Sequence, residues 1–287
     1  MSRSIAGKIK INSFADLVGG DDTAICEVPL TELHTFKDHP FKVLDDEKMI
    51  ETVQSVREHG VLMPGIVRPR VEGGYEIIAG HRRKRACEIV GLMTMPVVIK
   101  NYTDDEAVIA MVDTNLQRES ILPSEKAKAY RMRYEAEKHQ GSKGGNTLDK
   151  LGENFGESGK TVQRYITLSY LSDGLLELVD ERKIPVTAGI TIAVLKPKEQ
   201  DMVENCIRDS GIILQGYQAN KLAEWSQKSG LTKSTIEVIL SDAKPKPRTF
   251  VMKSDRISEF FEDDITDEEI EETIIRLLKE WRSGINQ

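Results

Sequence analysis

The 287-residue chain has few cysteines, no membrane-length apolar run and no phosphate loop of the Walker type, and each of these absences narrows what it does. Cys26, Cys87 and Cys206 are odd in number and far apart, matching neither a disulfide framework nor a zinc site. They read as reduced, small core residues. No segment approaches the roughly 18 apolar residues of a membrane span, and Met1 to Lys8 is basic without the apolar stretch of a signal peptide. The expectation is a cytoplasmic protein with no membrane partner. Gly-x-x-x-x-Gly-Lys-Ser/Thr occurs nowhere. His34 and His39 have no third ligand nearby in sequence and read as surface residues.

A formal net charge of −7 argues against a uniformly basic nucleic-acid binder, but the charge is unevenly placed. Glu262 to Glu272 holds eight acids and no base, whereas His81-Arg-Arg-Lys-Arg85 is a cationic block. That block is the most informative segment. The apolar run Tyr75 to Ala79 enters it, Gly80 turns it, and the arginines leave on a helix from His81 to Val90 that stops at Gly91. A glycine at a strand-to-helix turn lets backbone N–H groups approach an anion, and the helix start and guanidinium forks add favourable charge. The residues therefore predict a phosphate site.

Around this segment, Cys26 to Leu30 reads as a strand. Asp45 reads as the cap of a helix with Met49, Ile50, Val53 and Val56 on one face, ended by Gly60. Gly65–Val71 and Tyr75–Ala79 predict a hairpin across Glu72-Gly73-Gly74, with Pro69 confining the first strand to an edge. Met95 to Lys100 predicts another strand, and Thr103 with Glu106 a capping box opening a helix to about Asn115. From Leu122 onward the pattern is helical. Thr147 reads as the cap of a short helix to Phe155, and Gly156-Glu-Ser-Gly159 turns the chain into Lys160 to Leu171.

Leu151 and Phe155, Gly152, Gly156, then Val162 and Tyr165 have helix-turn-helix spacing, although Glu157 stands where an apolar residue is usual. In such a unit the second helix enters the major groove, presenting Ser158, Lys160, Thr161, Gln163 and Arg164 to duplex DNA. An ordinary helical hairpin remains the alternative on spacing alone. Further helices are expected at Leu175–Val179, Lys198–Ile207, Tyr217–Trp225 and Thr232–Leu240. A linker follows at 242–254. The segment 255–287 carries an amphipathic helix capped by Thr266 or Asp267, with Ile270, Ile274, Leu277, Leu278 and Trp281 as a stripe expected to pack on the body or, in preference, on a second copy as a dimerisation surface.

Gly60-Val-Leu-Met-Pro-Gly-Ile-Val-Arg68, Gly80-His-Arg-Arg-Lys-Arg-Ala86, and Thr114-Asn-Leu-Gln-Arg118 with Leu122-Pro-Ser-Glu125, followed by the helix-turn-helix, resemble the ParB family of chromosome and plasmid partition proteins. The resemblance covers roughly Val28 to Leu171. It implies an α+β protein: a small mixed α/β ParB/sulfiredoxin-like N-terminal domain (21–120, after a leader at 1–20), then an all-α helix-turn-helix domain (121–241, reader unit 147–171) and a short C-terminal helix. It also implies a homodimeric, nucleoid-associated binder of double-stranded DNA, with a CTP- and Mg-dependent clamp switch and a partition ATPase as partner. Gly80, His81, Arg82, Arg83, Asn115 and Arg118 would hold the nucleotide, and Asn115 with, weakly, Thr114 the metal. His81 and Thr114 stand where the family commonly has carboxylates, so no catalytic residue is assigned and CTPase activity is expected to be weak. Two alternatives stay open: a DNA-binding regulator that has lost hydrolysis, and a nucleotide-using enzyme on the same scaffold. For the latter, Gly80 stands where a sulfiredoxin has cysteine, and the loop lacks a kinase's carboxylate.

Overall fold

Gly65–Pro69 (β3) and Tyr75–Ala79 (β4) pair antiparallel, and Gly73 and Gly74 supply the positive φ angles (94° and 69°) that so tight a reversal requires. With β1 (Ile25–Pro29), β2 (Leu33–Thr35) and β5 (Thr94–Ile99) they form a mixed sheet of order β1-β5-β3-β4-β2. Pro69 does not mark an edge: β3 lies inside the sheet. Its ladder to β5 uses only Gly65, Ile66 and Val67, so the missing N–H of Pro69 falls beyond that pairing. The computed structural model describes residues 24–118, 121–141, 146–242, 260–261 and 265–285.

Helix α1 (Glu47–His59) is capped by Asp46, not Asp45; the Asp46 carboxylate accepts from the Met49 N–H at 2.9 Å. Asp45 instead holds Arg85, and Ile50 is exposed, leaving Met49, Val53 and Val56 as the packed face. Helix α2 (His81–Val90) ends at Gly91, whose φ of 86° admits the left-handed cap. Helix α3 (Asp104–Leu116) opens with the expected Thr103–Glu106 box. Helix α4 (Pro123–His139) has proline in its first turn, and buried Glu125 accepts from the backbone N–H groups of Leu122 and Lys42.

The helix-turn-helix is α5 (Asn146–Glu153) and α6 (Gly159–Leu168). Thr147 lies buried in the first turn of α5. Gly156 takes φ 70° in the turn, and Gly152 is the contact point: a Cβ there would lie 2.3 Å from the Glu157 carbonyl oxygen. Backbone cannot swing aside, so Gly152→Ala is expected to cost at least about 2 kcal/mol and lower the melting temperature by roughly 5 °C. An unchanged thermal midpoint would show that the hairpin tolerates the extra carbon.

Helices α7 (Asp173–Asp180), α8 (Val186–Ile192), α9 (Pro197–Ser210), α10 (Gly216–Lys228) and α11 (Lys233–Ser241) follow. They enclose a core of Leu168, Leu175, Leu178, Ile192, Val203, Leu222 and Ile236. Short α8 has no forecast in the sequence, because Thr-Ala-Gly-Ile-Thr has poor helix propensity and only its packing makes it helical. A second cluster, with Val28, Met49, Ile77 and Val97, fills the sheet. The third runs from the sheet into the helices, uniting Ile66 and Ile78 with Met111, Tyr130, Leu151 and Val162. Residues on both sides of position 120 thus share one packed interior.

Residues through Asp242 form one compact unit, and a separate unit from Ala243 holds α12 (Asp267–Ile285), opened by a Thr266–Glu269 box. The expected apolar stripe runs along α12 at helical spacing. The 1–20 leader and positions 243–254 of the expected linker lie outside the described residues. Cys87 and Cys206 are buried free thiols, and Cys26 is half-buried. No described helix is long and apolar enough to cross a membrane.

Candidate functional site

The turn between β4 and α2 is shaped by two glycines. Gly80 has φ 120°, and a Cβ on it would sit 3.2 Å from the Cα of Gly65 on β3, so two backbones approach where side chains would separate them. Helix α2 starts immediately afterwards, with the positive end of its dipole at this turn.

Three arginines surround that start. Arg82 donates to the Asp46 carboxylate at 2.8 Å, and Arg83 donates to the carbonyls of Met63 and Pro64 at 2.6 and 2.5 Å. Arg118, just past α3, lies with its guanidinium 5.8 Å from the Phe41 ring centre. Desolvation and the neighbouring Arg82 charge pull the Arg118 pKa down, and desolvation does the same to Arg83. Arg82 is paired with Asp46 and Glu125 opposes the shift at Arg118, yet burial still disfavours the charged forms of Arg83 and Arg118, so an anion at this turn would be favourable.

Asn115 is buried; its side-chain N–H donates to the Met111 carbonyl at 2.7 Å, which turns its amide oxygen away without a partner. An orphaned buried oxygen suits a divalent cation or a sugar hydroxyl. Thr114 behaves differently. Its hydroxyl donates back to the carbonyls of Ala110 and Met111 on its own helix, each at 2.9 Å.

His81, the first residue of α2, is 8% exposed. Burial, then the charges of His39, Arg118, Lys84 and Arg83, lower its pKa to about 3, so it is neutral at physiological pH. His39 is not the surface residue its sequence context suggests. Its ring lies 3.9 Å from that of His81 at 42°, and burial lowers its pKa to about 4. His39 and Phe41 are invisible as site residues in the sequence because their partners are some forty or more positions away, and so is Asp46, which holds Arg82 as well as capping α1.

On the second face, Ser158 caps α6 by accepting from the Thr161 N–H at 3.1 Å, and the two hydroxyls share a 2.9 Å contact. Lys160, Gln163 and Arg164 are exposed, and Ser158 is exposed beside them. Val162 and Ile166 are buried on the opposite face. Glu157 turns inward, accepting from the Tyr130 hydroxyl at 2.8 Å and from Lys126. That explains the acid in an apolar position.

Residues 17–116 match the model of the ParB N-terminal domain. A nucleoid occlusion protein of Listeria monocytogenes is 30% identical over 240 residues, which is 83% of this chain and 77% of that protein. One from Halalkalibacterium halodurans is 34% identical over 58% of this chain, which spans only 56% of that relative's length. A solved structure of the C-terminally truncated chromosome-partitioning protein ParB from Caulobacter crescentus complexed with CTP-gamma-S is 27% identical, covers 59% of this chain and 92% of that one, and has a TM-score of 0.31.

Proposed function

The chain belongs to the ParB family, and from that premise we propose that it is a DNA-binding partition or nucleoid-organising protein whose N-terminal site takes CTP with a divalent cation. One observation carries the reading. The guanidinium groups of Arg82, Arg83 and Arg118 lie around the Gly80 helix start, and Asn115, three residues before Arg118, keeps a buried unpartnered oxygen, on a chain that also presents the exposed face of α6. Gly80 and the α2 backbone would cradle the phosphates, the arginines would neutralise them, and Asn115 would ligate the cation. The base is named by family resemblance, and the relatives' naming for nucleoid occlusion agrees with a DNA-bound role.

Lys160, Gln163 and Arg164 would face the major groove, with Ser158 and Thr161 fixing the helix start against phosphate. The stripe on α12 would pair two copies into the dimer that a clamp needs. Hydrolysis is the open part of the cycle. His81 and Thr114 replace family carboxylates, and Thr114 is engaged with its own helix, so the nucleotide would be held as a ligand and turned over slowly if at all.

The test is binding and phosphate release for the four ribonucleoside triphosphates, with and without DNA carrying the native site. CTP-selective binding supports the reading; binding of none removes it. For the second face, Arg164→Ala is expected to weaken duplex binding about tenfold and to flatten its salt dependence by about one unit of slope, because one phosphate or base contact is lost. Unchanged affinity and slope would take Arg164 out of the interface.

A further inference from the structure

Glu157 stands in the turn that sets the direction of α6, and both its backbone and its side chain are held. Its N–H donates to the Gly152 carbonyl at 2.9 Å, which ties the turn to α5. Its carboxylate accepts from the Tyr130 hydroxyl at 2.8 Å and from Lys126, two residues one helical turn apart on the same face of α4. The Lys126 ammonium also lies 4.7 Å from the centre of the Tyr165 ring, on α6 itself. Three helices and the turn between two of them therefore converge on one acid.

Stability alone does not account for an ion pair in this place. The Glu157 and Lys126 side chains are each 22% exposed, and drawing two charges that far out of water consumes much of what their attraction returns. The Tyr130 ring already meets those of Phe155 and Tyr165 at 6.1 Å between centres, a setting in which an apolar residue would pack without that cost. What the carboxylate adds is direction, because hydrogen bonds from two points on α4 fix an angle that apolar packing leaves looser. The angle matters for reading bases. At a rise of about 1.5 Å per residue, a tilt of about 10° at the turn moves Arg164 by roughly 1.5 Å. A base-edge hydrogen bond is lost at that displacement, whereas a long cationic side chain still reaches a phosphate.

We propose that Glu157 is a positioning residue for sequence recognition: held by Tyr130 and Lys126, it sets the angle at which α6 enters the groove, and so separates the preferred DNA site from unrelated duplex. This rests on the reading of α6 as the groove helix given above. Lys126 is accordingly committed to the carboxylate and the Tyr165 ring, and adds nothing of its own to the hold on phosphate. Affinity for duplex of any sequence stays with the exposed cations Lys160 and Arg164, which the triad does not touch.

The experiment lets the full-length chain enrich its preferred duplex from a random-sequence pool, then measures affinity for that duplex and for a shuffled one of the same composition. The decisive variant combines Glu157→Leu, Lys126→Met and Tyr130→Phe, which removes the whole triad, leaves no member unpaired and keeps the net charge. Expected are a retained melting temperature, unchanged affinity for the shuffled duplex and a preference for the enriched one that falls at least about tenfold. Glu157→Gln, which still offers an oxygen to the Tyr130 hydroxyl, should keep the preference. An unchanged preference in the triple variant overturns the proposal. So does a parallel loss of both affinities and of melting temperature, which would mark the triad as a plain stabiliser, and so does a Glu157→Gln variant as indiscriminate as the triple one. If the triple variant shows no melting transition, Tyr130→Phe alone decides: the preference should fall, and an unchanged one overturns the proposal. A wild-type chain that enriches no sequence removes the groove-helix reading and this inference with it.

Discussion

Arg82→Ala is expected to weaken CTP binding about 100-fold, roughly 2.7 kcal/mol, while leaving the fold nearly untouched. The size follows from a planar fork that holds two phosphate oxygens through charge-assisted bonds, each stronger than a neutral one. The small stability effect follows from what Arg82 does without ligand. Its partner Asp46 is 43% exposed and also caps α1 through the Met49 N–H, a bond that survives the substitution. A solvent-screened pair of this kind contributes at most about 1 kcal/mol. Arg82→Lys should recover little, since a point charge cannot reproduce the fork. Calorimetry with a parallel thermal melt checks both halves. Equal CTP affinity in wild type and variant would sink the assignment of this arginine.

Arg133→Met should cost about 3–5 kcal/mol near pH 8, the largest stability effect of any substitution considered. Arg133 is 6% exposed between two carboxylates, Asp113 at 3.4 Å across the α3–α4 contact and Glu137 at 3.3 Å one turn along α4. Burial, opposed by Arg133 and reinforced by Glu137, already lifts the Asp113 carboxyl from 3.8 to about 6, and burial lifts that of Glu137 too. Without the guanidinium both rise further. A carboxyl whose folded pKa exceeds its unfolded value favours the folded state when protonated, so stability falls as pH rises through that interval. The loss relative to wild type should therefore be smaller at pH 5 than at pH 8. Denaturant unfolding at the two values decides it; an equal loss at both would mean the carboxylates find other partners.

Features carried by neighbours in the chain were legible before any coordinates. The β3–β4 reversal, the Thr103–Glu106 box, the Gly60 and Gly91 stops and the Gly152–Gly156 turn depend on residues within about five positions of one another. So does the cationic start of α2. What escaped depends on distant partners. His39 meets His81 across forty-two positions, Asp46 meets Arg82 across thirty-six, and Glu157 reaches back to Tyr130 across twenty-seven. No local pattern encodes such meetings. Pro69 misled for the related reason that the length of the β5 ladder is a property of two strands.

The interior shared by Ile66 and Ile78, Met111 and Tyr130, and Leu151 and Val162 has a thermodynamic corollary. That shared side-chain layer lies between the Gly80 turn and α6, so the proposed nucleotide and DNA faces would rest on one packed interior. By linkage, whatever factor a bound nucleotide applies to DNA affinity, bound DNA must apply to nucleotide affinity. Measuring either factor measures both, and a factor of one would describe two ligands that share a body and ignore each other.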